Sequence, residues 1–164
     1  MTGVRAVDEK RHGVVPTETL KTYDGIDFLK AMIAGTIPAP PMCELLGFRL
    51  VEADKGRAVF EGLPQVEHYN PFGAVHGGFA ATMLDSALGC TVHSTLPAGD
   101  GFTTLELKVN LVRAITKDTG LLRAEGRILH RGRTVAPADA DLKDSAGKLY
   151  AHASTTCMIF PAQR

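Results

Sequence analysis

The chain has 164 residues, the size of one domain, and is 45% hydrophobic and 22% charged, enough apolar material for a core under a solvated surface. Eighteen basic residues cancel eighteen acidic ones, so no global field draws the chain to nucleic acid or to a membrane, and high-charge disorder is excluded. Cys43, Cys90 and Cys157 form an odd set without CxxC spacing, and the six histidines include neither HExxH nor HxH. That excludes a disulfide framework, gives no support to a metal site, and makes the cytoplasm the expected location.

Residues 1–22 read as a polar, loosely ordered arm with no apolar targeting run. Asp24 to Ala34 reads as a short helix, with Asp24 as cap and Gly35 beyond its end. Pro38, Pro40 and Pro41 then make a connector, and Met42 to Leu46 one further helical turn. Residues 1–40 are thus expected to be an N-terminal extension to a single domain spanning 41–164.

Phe48–Glu52 and Arg57–Gly62 alternate as strands around a turn at Asp54–Gly56. A polar loop, Pro64 to Pro71, precedes the one long helical candidate, Gly77 to about Leu96, which Pro97, Gly99 and Gly101 end. Four period-two segments follow: Phe102–Val112, Leu121–His130, Thr134–Lys143 and Leu149–Phe160. Pro137 interrupts the third, which predicts a sheet edge or a bulge there. Six one-sided strands and one long helix predict an α+β fold with an antiparallel sheet. The alanine-rich inward faces of the later strands predict a helix lying very close to that sheet.

Asp85 is the only formally charged residue between Glu67 and Asp100. A surface helix would carry Lys or Glu on its outer face. This one carries only a thin polar stripe of Thr82, Asp85, Ser86 and His93. It must be buried on nearly every side, by a sheet that curls around it or by a second subunit. A lone carboxylate in such a place needs a partner or a purpose, because an unpaired buried charge is costly.

Gly77 and Gly78 open the helix and leave backbone N–H groups at the positive end of its dipole, where an oxyanion could bind. Gly77 and Asp85 are eight residues apart, roughly 12 Å along a helix. A carboxylate at that distance cannot serve an oxyanion held at the start of its own helix. If both act on one carbonyl, they come from two chains related by a two-fold axis. Thr103 shares the parity of Leu105 and Leu107, so its hydroxyl is expected to face the helix.

The run Asn70, Gly73, His76-Gly77-Gly78, Leu84-Asp85, then Thr103-Thr104-Leu105-Glu106-Leu107, Gly132-Arg133, and Asp144 through Gly147-Lys148-Leu149 to Ala151-His152-Ala153 resembles the PaaI-type hotdog-fold thioesterases. The resemblance covers about Gly47 to Phe160. It implies a long central helix wrapped by a curved antiparallel sheet, a homodimer or homotetramer with sites at subunit interfaces, and hydrolysis of acyl-CoA without a cofactor. By the same resemblance Asp85 is the general base or the nucleophile, and the Gly77 N–H binds the thioester oxygen. Asn70 orients the carbonyl or the attacking water, His76 supports the loop and the oxyanion site, and Thr103 lies near the carboxylate. Gly78, Arg113, Arg131 and Arg133 are candidates to contact CoA, with Lys117 a further basic residue near a strand end. A hotdog hydratase or dehydratase and a non-catalytic acyl-CoA-binding module are the alternative readings.

Overall fold

The computed structural model describes residues 12–161, so the first half of the expected arm lies outside the described residues. Where the rest of that arm was expected to be loose, Thr17–Lys21 forms a 3-10 turn, and the Leu20 carbonyl accepts from the Gly99 N–H at 2.9 Å. Helix α1 is Gly25–Ile33, and Gly35 beyond it takes a φ of +76°. Asp24 does not cap its own helix with its side chain. Its carboxylate accepts from the Ala98 N–H at 2.9 Å and ties the extension to the loop after the long helix. Helix α2, Pro41–Leu46, stops at Gly47 in the left-handed region. Phe28, Leu29, Ile37 and Cys43 are buried in the same core as the rest of the chain.

Among the described residues, strands β1 (Phe48–Asp54), β2 (Arg57–Gly62), β3 (Asp100–Leu111), β4 (Leu122–Ile128), β5 (Val135–Asp144) and β6 (Leu149–Pro161) form one antiparallel sheet in the order β1-β2-β4-β5-β6-β3. The long helix α3, Gly77–His93, lies across it and packs on β2, β4, β5, β6 and β3. This is the α+β architecture that the strand pattern predicts and the hotdog arrangement that the resemblance implies. The helix is three residues shorter than expected. Ser94 donates its hydroxyl to the Thr91 carbonyl at 2.7 Å and accepts from the Gly56 N–H at 2.8 Å, a side-chain exchange that closes the last turn.

The close helix–sheet approach has a visible cause. Ala58, Ala124, Ala136, Ala138, Ala140, Ala151 and Ala153 form the floor under α3, all fully or almost fully buried. Gly126 lies so near that an added Cβ would meet Thr91 Oγ1 at 2.4 Å and the Ala87 carbonyl oxygen at 2.8 Å. The outer face of β1, β2 and β4 carries ion pairs instead. Arg57 reaches Glu52 and Glu125, and Arg123 reaches Glu52 and Glu61.

Pro137 is neither at a sheet edge nor in a bulge. It sits in the central strand β5, opposite Thr156 of β6 in unbroken register. Its carbonyl faces the β4 side and accepts from Leu129 and His130, just beyond the end of the β4 ladder at Ile128. The missing N–H therefore falls on the side where no further strand asks for it.

Candidate active site

The loop before α3 is organised by Asn70. Its Oδ1 accepts from the Phe72 N–H at 2.9 Å and the Ala74 N–H at 3.3 Å, which closes a tight turn through Gly73 at φ +85°. The side-chain NH2 of Asn70 has no hydrogen-bond partner among the described residues. His76 caps α3 by accepting from the Gly78 N–H on Nδ1 at 2.9 Å, which leaves the proton of the neutral ring on Nε2. Below it, the His68 carbonyl accepts from the His76 N–H at 2.7 Å, and the His68 ring stacks on Phe79 with centroids 4.3 Å apart.

The Gly77 N–H has no hydrogen-bond partner among the described residues. It belongs to a cleft of about 360 Å³ lined by Asn70, Gly77, Ala80, Leu111 and Arg113, among others. Leu111 covers the glycine closely: a Cβ on Gly77 would lie 2.4 Å from its Cδ1. Arg113 is held at the rim by donating from Nε to the Leu149 carbonyl at 3.3 Å, with its guanidinium 5.9 Å from the centre of the Tyr150 ring. Asn70, His76, Gly77, Gly78 and Arg113 thus gather at one end of α3. The Gly78 N–H is already taken by the cap, so an expected contact from Gly78 to CoA cannot use that group while the cap stands.

Asp85 lies two turns further along, on the half-open face of α3 with Thr82 and Ser86. Its Oδ1 accepts from the Thr104 hydroxyl at 3.1 Å. This corrects the expectation for Thr103. Thr103 is exposed, and Thr104 is the residue turned toward the helix. The cause is a break in register between Thr104 and Glu106, where β3 bulges against β6. Leu107 and Val109 face inward as their parity predicts, but the extra residue flips every position before the bulge. The Thr155 hydroxyl reaches across and donates to the Glu106 carbonyl at 2.6 Å, filling the gap in the ladder. No sequence signal marks the bulge, so Thr104 escaped the parity argument.

Cys90, one turn beyond Asp85, is no competing nucleophile. Desolvation, then the neighbouring Cys43 and Asp85, push its thiol up to about 12, so it stays protonated. The other basic candidates are spread out. Arg131 faces Asp100 at 3.9 Å and donates to the Gly132 carbonyl, at the far end of β3 from Arg113. Arg133 is exposed, and Lys117 pairs with Asp118. Within one chain the structure does not bring Arg113 together with Arg131 and Arg133.

Comparison with known proteins agrees with this architecture. The thioesterase superfamily profile matches residues 72–151, which hold the Asn70 turn from Phe72 onward, the helix, strands β3 to β5 and the start of β6. A candidate esterase of Saccharolobus solfataricus is 34% identical over 116 residues, 70% of this chain and 80% of that protein. The 1,4-dihydroxy-2-naphthoyl-CoA hydrolase of Listeria monocytogenes is 24% identical over 106 residues, 65% of this chain and 85% of that enzyme. A phenylacetic acid degradation-related candidate thioesterase from Ralstonia eutropha JMP134 superposes with a TM-score of 0.73 at 32% identity, covering 80% of this chain and 98% of that one. With the fold, the capped glycine pair and the helix carboxylate in place, the chain belongs to the hotdog thioesterase superfamily.

Proposed function

We propose that the protein hydrolyses an acyl-CoA thioester to the free acid and CoA. The observation that carries this reading is the division of one helix into two complementary halves. At its start an unpartnered Gly77 N–H opens on a cleft. Roughly 12 Å along, Asp85 is held by Thr104 on a face the sheet leaves open. A two-fold copy with antiparallel helices joins Gly77 of one chain to Asp85 of the other. Three features support such a dimer, in cytoplasmic solution or as half of a tetramer. The β3 edge of the sheet has no neighbouring strand among the described residues. Leu105 on that edge is 56% exposed, and Phe72, at the tip of the loop beside the cleft, is 92% exposed.

In the joined site the thioester oxygen accepts from the Gly77 N–H at the helix N-terminus, where developing negative charge is stabilised. Asn70 offers its free NH2 to the carbonyl or to water. Asp85 either takes a proton from water as the oxygen adds to the carbonyl carbon, or adds to that carbon itself. Collapse of the tetrahedral intermediate breaks the C–S bond, and the CoA thiolate leaves and takes up the proton held by Asp85 or one from water; on the second route water then cleaves the Asp85–acyl anhydride, which releases the free acid and restores the carboxylate. Thr104 keeps the carboxylate in register with the carbonyl. Arg113 stands at the cleft rim to meet a phosphate of CoA, with Arg131 and Arg133 supplied from the other end of a β3 edge.

The reading is tested by thiol release from acetyl-, hexanoyl-, palmitoyl-, benzoyl- and phenylacetyl-CoA, with Asp85→Asn beside the wild type. Release that falls by at least about a hundred-fold in the variant is the expected result. A hydrated CoA product from an enoyl-CoA would instead mark a hydratase. Tight acyl-CoA binding with no release from any substrate would mark a binding module and end the hydrolase reading.

A further inference from the structure

We infer that Phe102, braced through His93 by helix α1 of the N-terminal extension, is the end wall of the acyl site and restricts it to short acyl chains or a single aromatic ring. The inference rests on the thioesterase reading and adds the substrate class.

The geometry begins at Asp85. The half-open face of α3 runs from Gly78 through Thr82 to Asp85 and Ser86. On an undisturbed helix the same stripe would continue through Gly89 to His93, because positions four apart share a face. It does not stay open, since Gly89 and His93 are both buried. What covers them is specific. Phe102 lies on Gly89 so closely that a Cβ there would stand 3.0 Å from Phe102 Cε2. The ring of His93 lies 5.6 Å from that of Phe102 on one side and 5.2 Å from that of Phe28 on the other.

Distances along the two elements agree. Thr104, which holds Asp85, and Phe102, which covers Gly89, are two residues apart on one face of β3, about 7 Å. Asp85 and Gly89 are four residues apart on α3, about 6 Å. The phenyl ring therefore closes the groove roughly one helical turn past the carboxylate. An acyl group whose carbonyl sits at Asp85 and whose chain follows the groove meets that ring after the length of one aromatic ring or a short chain. The residues before the wall are small: Ser86 and the Thr104 methyl.

The brace comes from outside the region that matches the superfamily. Phe28 is on α1, and α1 is pressed onto the end of α3: a Cβ on Gly25 would lie 1.7 Å from the His93 carbonyl oxygen. The Leu96 carbonyl accepts from the Gly25 N–H at 2.9 Å. Without α1, His93 would be free to swing away and Phe102 could rotate off Gly89. The extension thereby sets the depth of a site to which it contributes no reacting group.

The test measures kcat and KM of the full chain on acetyl-, butyryl-, hexanoyl-, decanoyl-, palmitoyl-, benzoyl- and phenylacetyl-CoA. The wild type, Phe102→Ala, Phe102→Leu and Phe28→Ala are compared, with folding checked by circular dichroism. The wild type should lose kcat/KM steeply beyond hexanoyl while accepting benzoyl. Phe102→Ala should raise the decanoyl-to-butyryl ratio of kcat/KM by about ten-fold or more, mainly through a lower KM for decanoyl-CoA. Phe28→Ala should move the ratio in the same direction by less. Phe102→Leu carries the comparison if the alanine variant does not fold. Equal wild-type activity on butyryl and palmitoyl, or an unchanged profile in the folded Phe102 variants, overturns the inference and leaves the hydrolase reading intact. No thiol release from any substrate by the wild type overturns both.

Discussion

The Thr104 hydroxyl donates to Asp85 Oδ1 at 3.1 Å, whereas its neighbour Thr103 points to the exposed side of the same strand. One bulged residue decides which of two adjacent threonines meets the carboxylate. The bond fixes one oxygen of Asp85 and leaves the other available for water or for a carbonyl carbon.

That contrast gives a paired prediction. Thr104→Val keeps the volume and removes the donor, so Asp85 is left free to rotate. Its kcat should fall about ten-fold or more, while KM and the melting temperature change little. Thr103→Val should leave kcat within about two-fold. Both variants assayed on one acyl-CoA settle the matter: equal losses, or a loss confined to Thr103→Val, would show that the bulge does not set the catalytic register.

Much of this was readable in the residues. The inward faces of β4 and β5 followed strict alternation, and both were found buried. The isolated Asp85 and the Gly77-Gly78 pair marked the helix as unusual, because charge depletion over so long a helix has few physical causes. Thr104 was not readable, since a bulge depends on how β3 meets β6 rather than on any local preference. The turn of Pro137 toward the finished edge of β4 was hidden for the same reason. Phe102 looked like one more apolar strand residue, and only its contact with Gly89 makes it a wall.

Gly77 separates the cleft from the fold. An alanine there retains the N–H, and its methyl collides with Leu111 Cδ1, the tip of a side chain that is 56% exposed. Leu111 can turn outward, so Gly77→Ala should lower stability by less than about 1 kcal/mol. It should still depress kcat/KM by about ten-fold, because the displaced leucine and the added methyl narrow the cleft proposed to receive the thioester oxygen. Leu111→Ala in the same chain should restore part of the loss. A double-mutant cycle that shows strict additivity would rule out this contact as the cause.

Gly126 makes the opposite case. Its added methyl would meet the backbone carbonyl of Ala87, which cannot move without lifting α3 from the sheet. Gly126→Ala should therefore destabilise by about 1–3 kcal/mol, as overpacking does. Urea unfolding measures this directly, and a midpoint equal to the wild type would show that the helix has slack over β4.

His93 predicts how the protein responds to acid. The ring is 8% exposed, neither nitrogen has a hydrogen-bond partner among the described residues, and burial lowers its pKa from 6.5 to about 4. The unfolded chain takes up a proton near 6.5 that the folded chain refuses until about 4. Stability from this residue is thus complete above pH 6.5 and is lost as the pH falls toward 4. The depression corresponds to about 3 kcal/mol at about 1.4 kcal/mol per pH unit. His93→Phe keeps an aromatic ring between Phe28 and Phe102 and removes the titration. The difference in unfolding free energy between the wild type and this variant, followed by urea titration from pH 7.5 to 4, isolates His93 from the other histidines and the carboxylates. It should shift by about 2–3 kcal/mol in favour of the variant across that window. Parallel curves would mean that His93 finds a proton acceptor when it charges, and the Phe28–His93–Phe102 stack would then be looser than the ring distances imply.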